Sequence, residues 1–163
     1  MKNMAAESPL DAYFGPKRSR LPLGQVVDGS LSSGLTIKLH PQFTVERLAV
    51  GRYVVIHGRQ TGRIFFGIIT DITLGATNPD LIPRPPDPAH PLQAQVFSNV
   101  MAYATIHVSP MLMLDEGEAQ PRPIKTIPAH FSPVYEASAH DVDRVFGAED
   151  ELHFFIGTPL DME

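Results

Sequence analysis

The stretch Arg47–Leu74, RLAVGRYVVIHGRQTGRIFFGIITDITL, constrains the fold of this chain more than any other. Two runs rich in Val, Ile and Phe, Arg52–His57 and Arg63–Thr73, flank the polar turn Gly58-Arg59-Gln60-Thr61-Gly62. Such runs, joined by a polar segment with glycine at each end, predict a β-hairpin. Gly51 opens the first strand and Gly75 closes the second. Both strands are apolar at nearly every position, so little of either face should meet water. A small closed barrel covers such strands better than a flat sheet does. Gly67 lies inside the second run, where glycine marks a bulge, a barrel corner or a close backbone approach.

The rest of the chain supplies short elements of the same kind. Leu21–Gly29 predicts a first strand and Leu35–Leu39 a second, with Thr36 and Lys38 pointing outward. Pro41 ends the second, and Phe43 and Val45 allow another short strand. Residues 75–91 hold six of the sixteen prolines and predict an extended loop. A spacer over the barrel surface is its commonplace reading, and a contact arm for a partner is the functional one. His90–Val100 fits a short helix with Pro91 in its first turn. Met101–Leu114 predicts a long strand, broken or bulged at Pro110. Asp115–Pro123 predicts a polar turn, and Ile124–Ile127 a strand stopped by Pro128.

Ser138–Gly147 predicts the clearest helix. Ser138 is its N-cap, Asp141 completes a capping box, and Gly147 is its stop. Val142, Val145 and Phe146 share one face. Leu152–Gly157 predicts a last strand. The sum is six or seven strands with one or two short helices: a mainly β fold, a small closed or Greek-key barrel. The domain plan is a flexible tail over residues 1–20 and a barrel over 21–163, carrying the Pro-rich loop 75–91.

Composition narrows the chemistry. A chain of 163 residues can bury ~70% of its unfolded surface and needs no staples. It has no cysteine, which removes disulfides, thiolate nucleophiles and thiolate metal sites. That composition suits a reducing cytoplasm. The N-terminus lacks an apolar segment of signal-peptide length, and no run approaches the ~20 apolar residues that span a bilayer. A formal net charge of −5 is a poor basis for gripping a phosphate backbone.

No catalytic constellation stands out. The seven histidines fall in no metal-ligand spacing, and His57, His107 and His153 read as packed strand residues. Glu116 and Glu118, Asp141 and Asp143, and the run Glu149–Glu151 read as solvated or helix-start carboxylates. Ser30, Ser32 and Ser33 sit in a turn rather than in a G-x-S-x-G elbow. No lysine follows a glycine, so no Walker A motif exists and no nucleoside triphosphate is held by that route. A hydrolase built on a histidine and a nearby aspartate finds no support in the spacing. Arg47, Arg52, Arg59 and Arg63, with Tyr53, Phe65 and Phe66, leave one alternative: an OB-like single-stranded nucleic-acid-binding module.

Six segments together resemble a known family. They are GQVVDGSLSSGLTIKL, VGRYVVIHG, GRIFFGIITDI and AYATIHVSPMLML, followed by PVYEASAHDVDRVFG leading into HFFIGTPLDME. In order and texture they are similar to the N-terminal HAS barrel of HerA-like hexameric DNA translocases, a module shared with rotary ATP synthases. The resemblance spans Leu21–Glu163. It implies a non-catalytic assembly and docking barrel, with ATP and Mg bound in a motor domain beyond residue 163 and no cofactor in this chain. It implies self-association in a hexameric ring, a partner nuclease of the NurA type, DNA engaged only indirectly, no membrane contact, and a cytoplasmic parent protein acting in DNA processing or repair. Exposure and composition nominate Thr61, Gly62, Arg63, Asn78 and Arg84 as the assembly or partner surface.

Overall fold

The computed structural model describes residues 21–78, 80, 83, 85, 87, 89–90, 92, 96, 102–115 and 120–147. Among the described residues there are seven strands: β1 (Gly24–Ser30), β2 (Gly34–Leu39), β3 (Tyr53–His57), β4 (Ile64–Ala76), β5 (Ala102–Leu114), β6 (Arg122–Pro123) and β7 (Pro133–Glu136). The α-helix α1 (Ala139–Phe146) follows them. The predicted hairpin forms from β3 and β4, in register from Tyr53 opposite Ile68 to His57 opposite Ile64.

The sheet closes on itself. Its order is β2-β1-β7-β3-β4-β5-β6, and β2 also pairs with β5. Every pairing is antiparallel. Six strands therefore make a closed barrel, and β6 lies outside it on an edge of β5 that β2 leaves open. Closure removes the unpaired edges that an open sheet would expose.

Burial explains the apolar runs. Leu35, Ile37, Val54, Ile56, Phe65, Ile69, Ile106, Val108 and Val134 fill the barrel interior. Val55, Ile64, Phe66, Leu114 and Ala137 form a second cluster, with Val142 and Val145 of α1 packed on it. Alternate residues of β3 thus face the interior and the helix, so neither face is wet. That expectation holds from Ile64 to Ile69 of β4 and fails beyond. From Thr70 to Ala76 the strand runs past β3, and Leu74 is 76% exposed. Gly75 does not close β4, which continues to Ala76.

Bulges set which side chains point inward. Phe66 pairs with Leu112 and Gly67 with Pro110, which leaves Met111 extra. Before this bulge Ala104, Ile106 and Val108 point inward; after it, Met113 does, while Leu112 and Leu114 join the outer cluster. Pro110 has no N–H to give a ladder and sits beside the irregularity, as its chemistry requires. Thr70 on β4 and Val27 on β1 are likewise passed over by the register. Each bulge adds the local twist that lets a short sheet curl shut.

Two predicted strands are corrected. Phe43 and Val45 do not form one: Val45–Arg47 is a short 3-10 helix. Phe43, Val45 and Leu48 lie against the interior cluster, so their apolar spacing serves to plug a barrel end rather than to build a strand. Ile124–Ile127 is not a strand either; pairing is confined to Arg122–Pro123 opposite Leu112–Met113. The Ile124 N–H still reaches the Met111 carbonyl at 3.3 Å, but the bulge at Met111 ends the ladder there. Ile124 packs against the core instead.

The helix forms as its caps predict. The Asp141 N–H donates to Ser138 Oγ at 3.2 Å, and the Ser138 N–H donates to Asp141 Oδ2 at 2.7 Å. This reciprocal capping box is worth about 1 kcal/mol, useful in a helix of only eight residues. Tyr53 stacks on Phe66 at 5.1 Å, and Phe146 meets both rings at 5.5 and 5.9 Å, so three aromatics pin α1 to the barrel wall. The predicted N-terminal tail, most of the predicted helix His90–Val100 and the predicted strand Leu152–Gly157 lie outside the described residues.

Candidate docking surface

The β3–β4 turn is built to hold a fixed shape. The Gly58 N–H donates to the Arg63 carbonyl at 2.7 Å, and the Gly62 N–H to the Gly58 carbonyl at 3.1 Å. Gly62 has φ 69°, the left-handed conformation that glycine adopts without a steric cost. Thr61 is exposed, and its Oγ1 accepts from the Arg63 N–H at 3.4 Å. The Arg63 guanidinium forms an ion pair with Asp115 at the end of β5. This ties the turn to the neighbouring strand and leaves Arg63 only partly available to a partner.

Asn78 is elsewhere. It follows the far end of the thirteen-residue β4, on the order of 40 Å along the strand from the turn. Its Oδ1 accepts from the Asp80 N–H at 3.0 Å, an Asx turn that starts the Pro-rich loop. Pro83, Pro85, Asp87, Ala89 and His90 in that loop are all exposed. Arg84 lies outside the described residues. The nominated residues therefore form two separate regions, one at each end of β4.

The four arginines of the nucleic-acid alternative are also dispersed. Arg59 and Arg63 belong to the β3–β4 turn, while Arg47 and Arg52 lie before β3 at the opposite end. Arg52 pairs with Glu136 and Arg63 with Asp115, so two of the four charges are already matched. Phe65 and Phe66 are buried, and Tyr53 is stacked beneath α1. Among the described residues no row of exposed aromatics runs beside these cations. Among the described residues no group of three His, Asp or Glu side chains could hold a metal ion. No helix among them is long and apolar enough to cross a membrane.

Beside the β3–β4 turn the structure shows a feature that sequence reasoning missed. The Arg59 N–H donates to Ser132 Oγ at 3.4 Å, joining the turn to the connection that leads into β7. Ser132 is fully buried, and the preceding Phe131 is 54% exposed with φ 62°. One signal was available: between Pro128 and Pro133 the chain reads Ala-His-Phe-Ser, a tight connection without glycine.

No curated protein matches this chain. A family model does, described as the HAS barrel domain and aligned to residues 23–117. The structure adds that β7, Pro133–Glu136, which closes the ring between β1 and β3, comes after the matched span. With more than half of its 163 residues matched and a closed six-stranded barrel formed, the chain belongs to the HAS barrel family.

Proposed function

We propose that this barrel is a non-catalytic assembly and docking domain of a HerA-like ATPase, a DNA translocase acting in DNA processing. It would support a hexameric ring and seat a partner nuclease. Membership of the HAS barrel family carries the reading, and the order of the flanking segments through HFFIGTPLDME gives it its HerA-like direction. The packing is consistent with a surface role. Ile37, Val54, Ile56, Ile106 and Val108 occupy the barrel interior with no exposure, and Ile124 packs on the same cluster. Work by this domain therefore falls to its outer loops. The ATP and Mg chemistry belongs, in this proposal, to a motor domain outside residues 1–163, and DNA is engaged through that motor.

The β3–β4 turn is the better placed of the two nominated regions, because hydrogen bonds and the Arg63–Asp115 pair hold it in one conformation. A preformed surface loses less entropy on binding than a loose one. The test is native mass spectrometry of the product of the whole reading frame, comparing the natural protein with Thr61→Glu plus Arg63→Ala. A ring that weakens by roughly tenfold or more in the variant is the expected result. A ring of unchanged stability removes the turn from the interface. A reading frame without a Walker A, giving a monomer, removes the motor-domain reading altogether.

A further inference from the structure

Asp28-Gly29 is the one Asp-Gly or Asn-Gly step in the chain. It lies near the end of β1, and both residues are exposed. The Gly29 N–H donates to Asp28 Oδ1 at 2.8 Å, so the Asp28 carboxyl is folded back against the nitrogen that follows it. The fold keeps a glycine at that point. Gly29 has φ 143°, and a Cβ there would lie 2.5 Å from the Gly34 carbonyl oxygen and 2.7 Å from Leu35 Cα. Both obstacles are backbone of the facing strand β2, so no side chain fits. The β1–β2 register slips between Val26 and Asp28, and β7 with the connection before it bonds β1 no further than Val26. Among the described residues, strand pairing thus holds Asp28–Ser30 from the β2 side alone.

Asp71 offers a comparison within the same molecule. It too is exposed, and its Oδ1 accepts from the following N–H, that of Ile72, at 2.8 Å. Ile72 is β-branched, and its side chain shields the nitrogen. It also packs against the barrel interior, which fixes that peptide. Gly29 has neither restraint: no side chain covers its nitrogen, and it is exposed. A carboxyl carbon and the amide nitrogen of the next residue can join to form a succinimide ring. Holding the two groups in contact removes most of the entropic cost of their meeting.

We infer that Asp28 is a site of self-modification, at which the folded chain converts aspartate to isoaspartate through a succinimide. The Gly29 nitrogen adds to the carbon of the protonated Asp28 carboxyl. A C–N bond forms, the carboxyl C–OH bond breaks, and the hydroxyl leaves as water with the proton from the nitrogen. Water then opens the ring. Addition at the former side-chain carbonyl restores aspartate. Addition at the main-chain carbonyl breaks the original peptide bond and leaves the chain running through the Asp28 Cβ. The water lost in closure is regained in opening, so the product is an isomer of equal mass. Its backbone carries one extra carbon before Gly29, which moves Gly29 and Ser30 out of step with Leu35 and Gly34.

The experiment incubates the folded protein encoded by the whole reading frame in water enriched in heavy oxygen, beside the variant Asp28→Glu. Each ring opening leaves one heavy oxygen in the residue. Peptide mapping with electron-transfer fragmentation places the label and separates isoaspartate from aspartate. We expect label and isoaspartate to accumulate at Asp28 about tenfold faster than at Asp71, or more. Asp28→Glu should lose both at this position, because its longer side chain closes the larger ring poorly. A rate at Asp28 within a few-fold of that at Asp71 would overturn the inference, by showing that pairing with β2 holds the carboxyl out of attack. Label that reaches Asp28 only in urea would overturn it as well, since the reaction would then belong to the unfolded chain.

Discussion

Gly67 shows how one residue can fix a strand crossing. A Cβ there would lie 2.7 Å from the Ser109 carbonyl oxygen and 2.8 Å from Val108 Cγ1. Both obstacles belong to the facing strand β5, one of them backbone, so neither moves aside cheaply. Gly67→Ala should therefore destabilise the fold by about 1–3 kcal/mol, read as a lower urea midpoint. A midpoint unchanged from the natural protein would mean that β4 and β5 are looser than their register implies. The Arg63–Asp115 pair is a different kind of contact. With Arg63 37% exposed at its side chain, the pair contributes under ~1 kcal/mol to stability, and its value lies in orienting the turn.

Among the elements, β5 carries most of the architecture. It pairs with β4 along its whole length, with β2 through Thr105–Val108, and with β6 at Leu112–Met113. The bulge at Met111 lets one strand serve two packing regimes, because one extra residue exchanges the inward and outward positions that follow it. Met111 itself is 39% exposed, so replacing its side chain should matter little. Inserting one serine after Leu112 should matter greatly, because Met113 and Leu114 would then change faces. We expect Met111→Ser to lie within about 1 kcal/mol of the natural protein and the serine insertion after Leu112 to lose cooperative unfolding. Similar denaturation curves for the two variants would rule out a register-setting role for the bulge.

For the whole molecule, the distribution of charge matters more than its sum. Arg47 and Arg52 stand apart from Arg59 and Arg63, and carboxylates already engage two of the four. Phosphate-backbone binding requires several cations along one track, and each neutralised phosphate steepens the salt dependence. Fluorescence anisotropy with a labelled single-stranded oligonucleotide should therefore show no saturable binding at physiological salt. Saturable binding with a log–log salt slope steeper than about −3 would require a basic track that these arginines do not make, and would restore the nucleic-acid alternative.

The chain's local signals determined its local structure. Val, Ile and Phe runs on either side of Gly58–Gly62 specified the β3–β4 hairpin, and Ser138, Asp141 and Gly147 specified α1. Pro110 marked the neighbourhood of the β5 bulge, and the continuous apolar character of β3 called for cover on both faces. These features were legible because torsional preference, capping and hydrophobic periodicity act over a few residues. Tertiary structure alone decided the ring order, with β2 meeting β5 and β7 passing between β1 and β3. It also turned Phe43 and Val45 into an end plug, separated Thr61 from Asn78, and pinned Phe131 in a left-handed bulge opposite Val26. Each of these depends on residues far apart in the chain becoming neighbours. The free energy for that comes from burying surface common to many segments, which no single window of sequence contains.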